Sequence, residues 1–156
     1  MEINEEFGVI KWYRFERWLY PHHMTPIAKC VKGLIRILWG GVIPYEVSIG
    51  EGTVITYHGL GVVLNKQSVI GRNCRIRQHV TLASNRDGAP FLEDGVQVGA
   101  GAVIVGKVHI GKNVKIGALS FVNSDLPDNC TAVGSPAKPV KYHEEMEMLD
   151  NQERLR

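Results

Sequence analysis

Residues 92–122 read LEDGVQVGAGAVIVGKVHIGKNVKIGALSFV, with aliphatic residues at six-residue steps: Leu92, Val98, Ile104, Ile110, Ile116 and Val122. Gly99, Gly111 and Gly117 directly follow three of these anchors. Val96, Ala102, Val108, Val114 and Ser120 stand four places after the first five. A step of six is neither the two-residue period of a lone strand nor the 3.6 of a helix. A fixed supersecondary period of this kind predicts stacked coils.

Outward from that stretch, Ile43, Ile49 and Ile55 keep the six-residue step, and Leu64, Ile70, Ile76 and Leu82 keep it again. Between Ile55 and Leu64 three residues are inserted, in TYHGLGVV, and between Leu82 and Leu92 four, in ASNRDGAPF. A longer excursion, NSDLPDNCTA, separates Val122 from Val133-Gly134. The pattern resembles the left-handed parallel β-helix of hexapeptide-repeat proteins. That resemblance implies an all-β domain over residues 43–140, with three hexads per triangular coil, anchors inside, and coils ~4.8 Å apart. It also implies trimers formed through the flat outer faces. Insertions extruded from such a scaffold are natural places for function.

The 156 residues set one domain as the prior, and the net charge of +2 gives no argument for nucleic acid. Cys30, Cys74 and Cys130 are odd in number, widely spaced and free of CxxC, which reads as a reducing compartment rather than a disulfide framework. The opening MEINEEFG is acidic where a signal peptide would be basic, and no run reaches the ~18 apolar residues that span a bilayer. These features predict a cytoplasmic protein.

Residues 1–42 read as a helical cap. In residues 9–20, Val9, Trp12, Phe15 and Leu19 fall on one face and Lys11, Arg14 and Arg17 on the other. Pro21 ends that helix, and Thr25-Pro26 offers an N-cap with proline at the first position of a second, from Ile27 to Trp39. Its apolar residues are Ile27, Val31, Leu34, Ile35 and Leu38, and Gly40-Gly41 stops it. The cap either packs on the stack and on other subunits or lays a basic amphipathic surface on the inner face of an anionic membrane. His22 and His23 read as solvated turn residues, and residues 141–156 as a charged, solvated tail.

Among the histidines, His58 stands in the first insertion, three places after Ile55, and His79 three places after Ile76. The two anchors are three hexads apart, so His79 is expected one layer above His58, near the same corner. An imidazole is suited to removing a hydroxyl proton at neutral pH. His109 reads as a strand surface residue and His143 as part of the tail.

YHGLGVVLNKQSVIG, QHVTLAS, the 92–122 stretch and the closing AVGSPAKPV together resemble the serine O-acetyltransferase branch of hexapeptide acyltransferases. The resemblance implies that His58 is the general base for direct attack of an acceptor hydroxyl on acetyl-CoA; the register argument alone adds His79 as a second candidate catalytic residue. Backbone N–H groups would stabilise the oxyanion. Ser84, Gly99, Ala100, Gly117, Ala118 and Lys138 would hold the donor in a groove between subunits. Some hexapeptide-repeat proteins bind zinc through an HxxxxH pair; this chain has none, so no metal is expected.

The departures steer the acceptor. Tyr57 precedes His58 where the family has Asp, Ala89 precedes Pro90 where it has His, and Ile43 stands where it has another Asp. With these gone, the expectation moves toward the short capsule and exopolysaccharide O-acetyltransferases and a sugar or polysaccharide-precursor hydroxyl. Tyr57, Asn85, Arg86 and Asp87 are the candidate acceptor contacts, and His79, Glu46 or a backbone carbonyl the candidates for orienting His58. Serine O-acetyltransferase is the alternative, and a non-catalytic trimeric scaffold or binding module a further one.

Overall fold

A computed structural model describes residues 9–22 and 24–143. Short strands repeat around a triangular prism, and each of its three sheets is one face. The first face stacks Ser48–Ile49, Val69–Ile70, Phe91–Leu92 and His109–Ile110 in parallel. The second stacks Val54–Ile55, Arg75–Ile76, Gln97–Val98, Lys115–Ile116 and Cys130–Gly134. The third stacks Val63–Leu64, Thr81–Ala83, Val103–Val105 and Phe121–Val122. This is the expected parallel β-helix.

The six-residue anchors fill its interior. Leu64, Ile70, Ile76, Leu82, Leu92, Val98, Ile104, Ile110 and Val122 are all at most 2% exposed. The residues four places on are buried beside them, including Val96, Ala102, Val114 and Ser120. The hexad is therefore a register of two inward positions separated by turns.

Two features correct the sequence reading. NSDLPDNCTA is not an excursion from the coil. Leu126 is buried and bridges Ile110 on the first face, and Ala132, six residues later, pairs with Ile116 on the second. The stack loses two residues at one corner and continues. The strand Ala137–Tyr142 then folds back antiparallel on Cys130–Gly134 and closes the end of the second face, two residues past the expected boundary. The expected tail beyond His143, the opening MEINEEFG and His23 lie outside the described residues.

Two different needs place glycine at the corners. Left-handed backbone occurs at the third residue after an anchor, at Gly52, Asn73, Gly95, Asn113 and Asn129 along one corner. Gly99, directly after an anchor, has no positive φ. A Cβ there would stand 2.5 Å from the Ala118 amide nitrogen and 2.7 Å from the Gly117 carbonyl carbon. Glycine at that position answers the close approach of the next coil's backbone.

The cap comprises α1 (Val9–Leu19) and α2 (Thr25–Trp39). In α1 the buried residues are Val9, Tyr13, Glu16 and Leu19, whereas Trp12 is 39% and Phe15 45% exposed. The helix is turned from its expected face because the Tyr13 hydroxyl donates to the Val47 carbonyl, joined there by Arg17 Nη1 at 3.2 Å. In α2 the buried stripe is Ala28, Val31 and Ile35, leaving Ile27, Leu34 and Leu38 exposed. That helix begins at Thr25, with Met24 in the N-cap position, and Gly40 closes it in left-handed backbone as expected. No helix among the described residues is long and apolar enough to cross a membrane.

Glu16 is the anomaly of the cap. It is 1% exposed and its Oε2 has no hydrogen-bond partner among the described residues. Burial raises its carboxyl from 4.5 to about 7, with Lys32 opposing the shift and Glu46 adding to it. The folded chain thus holds a proton that the unfolded chain releases, so this group's contribution to stability is present below pH 4.5 and lost as pH rises to about 7. Glu16→Gln is expected to flatten that part of the stability–pH curve and raise the melting temperature at pH 8. A thermal melt series across pH 4–8 that is identical for both proteins would remove Glu16 from the account.

Candidate active site

The three-residue insertion sits at the corner between the second and third faces. Thr56 continues the coil, its N–H bonding to the Ile76 carbonyl at 2.9 Å, and Tyr57–Gly59 then form a single 3-10 turn. Gly59 N–H donates to Thr56 O at 3.0 Å and Leu60 N–H to Tyr57 O at 3.1 Å. Tyr57 and His58 both take left-handed backbone, with φ of 52° and 55°. Such conformations in non-glycine residues mark strain that the surroundings hold in place. What holds it is the cap: a Cβ on Gly59 would meet the Val9 side chain at 2.7 Å. Helix α1 thus backs the turn that presents His58 to solvent.

The register places His79 elsewhere than expected. Ile55 does pair with Ile76, as the hexad count requires. After the insertion, however, His79 N–H bonds to the Leu60 carbonyl at 2.9 Å, and a Cβ on Gly61 would fall 2.2 Å from His79 Nδ1. His79 therefore stands above Gly61, because the three inserted residues are extruded before the coil resumes. Among the described residues neither His58 nor His79 has a side-chain hydrogen bond. Glu46 acts electrostatically on Glu16 of the cap and on its chain neighbour Tyr45. None of the orienting partners considered for His58 is in place within one chain.

Above this corner the second face presents one column. Position by position after the anchors it runs Thr56, Arg77, Gly99, Gly117 and Val133, and Val133 pairs with Lys138 on the closing strand. Gly99, Ala100 and Ala118 line a groove of about 310 Å³ whose other walls include Arg75, Arg77, Gln97 and Lys115. Five of the six residues expected to hold a donor thus share this corner.

Ser84 is the exception. It stands at the corner between the third and first faces, its hydroxyl accepting from Asn65 Nδ2 at 2.9 Å. The second insertion closes there too: the Asn85 side-chain oxygen accepts from the N–H of Asp87 at 2.8 Å and of Gly88 at 3.2 Å, and its amide donates to Asp87 Oδ2 at 3.2 Å. Asn85 and Asp87 are engaged in shaping their own loop, while Arg86 is exposed. Within one chain this loop and His58 occupy different corners.

Of the three departures, Ile43 is 1% exposed and serves as an interior anchor, so its side chain has no reach to a site. Tyr57 is 59% exposed beside His58. His109 is a surface residue, as read, pairing with Glu93 at 2.8 Å. Cys74 and Cys130 are buried free thiols, and burial pushes Cys74 up to about 11. No group of three potential metal ligands occurs among the described residues. The basic residues Arg75, Arg77 and Lys115 were missed as site residues. Their signal was visible: each stands directly before or after an anchor on the second face and so points outward into the groove.

Residues 89–124 match the family described as bacterial transferase hexapeptide (six repeats). The chain is 37% identical over 138 residues to a serine acetyltransferase of Synechococcus elongatus, covering 86% of this chain and 56% of that protein. It is 39% identical over 132 residues to a serine acetyltransferase of Helicobacter pylori, covering 82% of this chain and 77% of that protein. A serine acetyltransferase solved in complex with CoA superposes with a TM-score of 0.78 at 34% identity, over 87% of this chain and 57% of that one. This chain spans little more than half of the Synechococcus relative. All three relatives carry the serine acetyltransferase name, so the expected nearness to capsule and exopolysaccharide enzymes is not upheld. On the coil register, the groove and these likenesses, the chain belongs to the hexapeptide-repeat acyltransferase family.

Proposed function

We propose that the chain is an acetyl-CoA-dependent O-acetyltransferase whose acceptor is the hydroxyl of serine or a close analogue, with His58 as the general base. The observation that carries this reading is the placement of His58: an exposed imidazole on a strained turn, at the foot of a column that passes Arg77, Gly99 and Gly117 and ends beside Lys138. The serine acetyltransferase name of the relatives supports serine over the sugar hydroxyl that the departures at Tyr57 and Ala89 favoured.

The residues present fit the donor. The backbone at Gly99 and the small side chains of Ala100 and Ala118 leave room for a slender chain along the groove, and Lys138 offers a cation for phosphate. Acetyl-CoA supplies a thioester carbonyl as electrophile and a thiolate as leaving group. His58 accepts the acceptor's hydroxyl proton as that oxygen attacks the carbonyl carbon, and the imidazolium returns the proton to the departing sulfur. Assembly of three prisms through their faces would bring the Asn85–Asp87 corner of one subunit to the His58 corner of the next. It would also give the exposed apolar residues of α1 and α2 a place to pack. The membrane alternative for those helices draws no support from the relatives.

An acceptor screen with acetyl-CoA tests the reading by mass spectrometry against serine, free and activated sugars, and oligosaccharides. O-Acetylserine is the expected product. Acetylated sugar alone would restore the glycan reading, and failure to bind coenzyme A in calorimetry would leave a non-catalytic scaffold.

A further inference from the structure

Arg75, Arg77 and Lys115 line the same groove as Gly99, Ala100 and Ala118, and no carboxylate lines it with them. Among the described residues none of the three forms an ion pair. Arg75 and Arg77 flank Ile76, which is fully buried, so both side chains leave the strand on its outer side. Two guanidinium groups two residues apart make a planar, multidentate receptor for an oxyanion.

The column decides which anion. Arg77 stands one residue past Ile76, the partner of Ile55, and the turn carrying His58 begins two residues past Ile55. The arginines thus occupy the coil adjacent to the candidate base. Lys138 lies four strands further along the face, roughly 19 Å away at one strand spacing each. If the donor's phosphates are held at the Lys138 end, the arginine pair is left beside the reacting hydroxyl. We propose that Arg75 and Arg77 bind a carboxylate on the acceptor, so that the substrate is a small hydroxy acid read by its anionic end. This rests on the transferase reading above and adds a specificity determinant to it. It also supplies the cation that a serine-like acceptor needs.

The test uses two pairs of acceptors that differ only by a carboxylate: L-serine against ethanolamine, and D-glycerate against ethylene glycol. For the unsubstituted chain, kcat/KM is expected to favour the charged member of each pair by at least about tenfold, as a charge-assisted contact implies. Arg77→Gln, alone and with Arg75→Gln, is expected to remove that preference, lowering kcat/KM for the charged members by about tenfold to the level of their neutral partners. Equal use of charged and neutral members by the unsubstituted protein would overturn the proposal. So would a weakened coenzyme A Kd with the preference intact, which would assign the arginines to the donor. Loss of the assembled state in Arg77→Gln would assign them to a subunit contact and equally refute it. Calorimetric titration with L-serine and D-glycerate separates the two levels of inference. Binding that is lost in Arg77→Gln, in a protein that transfers no acetyl group, sustains the anion site and sinks the transferase reading. Acetyl transfer with no carboxylate preference does the reverse.

Discussion

His58→Ala is expected to lower kcat for acetyl transfer by about a thousandfold, within the range of a lost general base, while the protein melts as before. The second half of that expectation follows from placement. His58 is exposed on a turn and has no side-chain hydrogen bond among the described residues, so removing the imidazole empties no cavity. Its left-handed φ of 55° gives a second variant with a sharper meaning. Asparagine tolerates this conformation better than most residues, so His58→Asn keeps the turn and deletes only the base. Steady-state release of coenzyme A in the presence of serine is the measurement. Both variants should fall together, with unchanged assembly in solution. A loss in His58→Ala that His58→Asn restores would assign the residue a conformational role instead.

Gly99→Ala is expected to destabilise the chain by about 3 kcal/mol, at the high end for overpacking, and Gly117→Ala by about 1 kcal/mol. The two glycines occupy the same hexad position on neighbouring coils, so sequence treats them as equivalent. Their neighbours are not. A Cβ on Gly99 meets only backbone within 3 Å, at Ala118, Gly117 and Ile116, and backbone held in a ladder cannot step aside. A Cβ on Gly117 meets Val133 Cγ1 at 2.7 Å, a partly exposed side chain that can rotate. Denaturant melts of both variants check the ranking, and equal losses would show that the coils relax apart more readily than their hydrogen bonds suggest. Because Gly99 also lines the groove, its variant should bind coenzyme A more weakly than the Gly117 variant does.

How far the sequence carried the fold can be seen from individual anchors. Apart from Ile49, which is only partly buried, the six-residue step located the interior from Ile43 to Val122 because burial in a coil repeats with the coil itself, independent of any pairing partner. It failed at Leu126, where the chain drops two residues and an irregular spacing conceals a continuing register. It also failed in α1, where Trp12 and Phe15 looked like core. Hydrophobicity ranks residues by transfer energy, whereas the face of α1 is chosen by the hydroxyl of Tyr13 reaching the Val47 carbonyl. The expectation for His79 failed for a related reason: counting cannot say where inserted residues leave the coil. Here they leave before Leu60, which puts Gly61 and not His58 beneath His79. The groove cations were legible but unread, because Arg75, Arg77 and Lys115 belong to no motif and gain meaning only when successive coils bring them together.

The most direct test of the central claim, that His58 removes the acceptor proton, is chemical rescue of His58→Ala by free imidazole. Coenzyme A release with acetyl-CoA and serine should be near background in the variant alone and rise with the concentration of unprotonated imidazole, with O-acetylserine as the product. Release at the unsubstituted rate by His58→Ala without imidazole would contradict the claim.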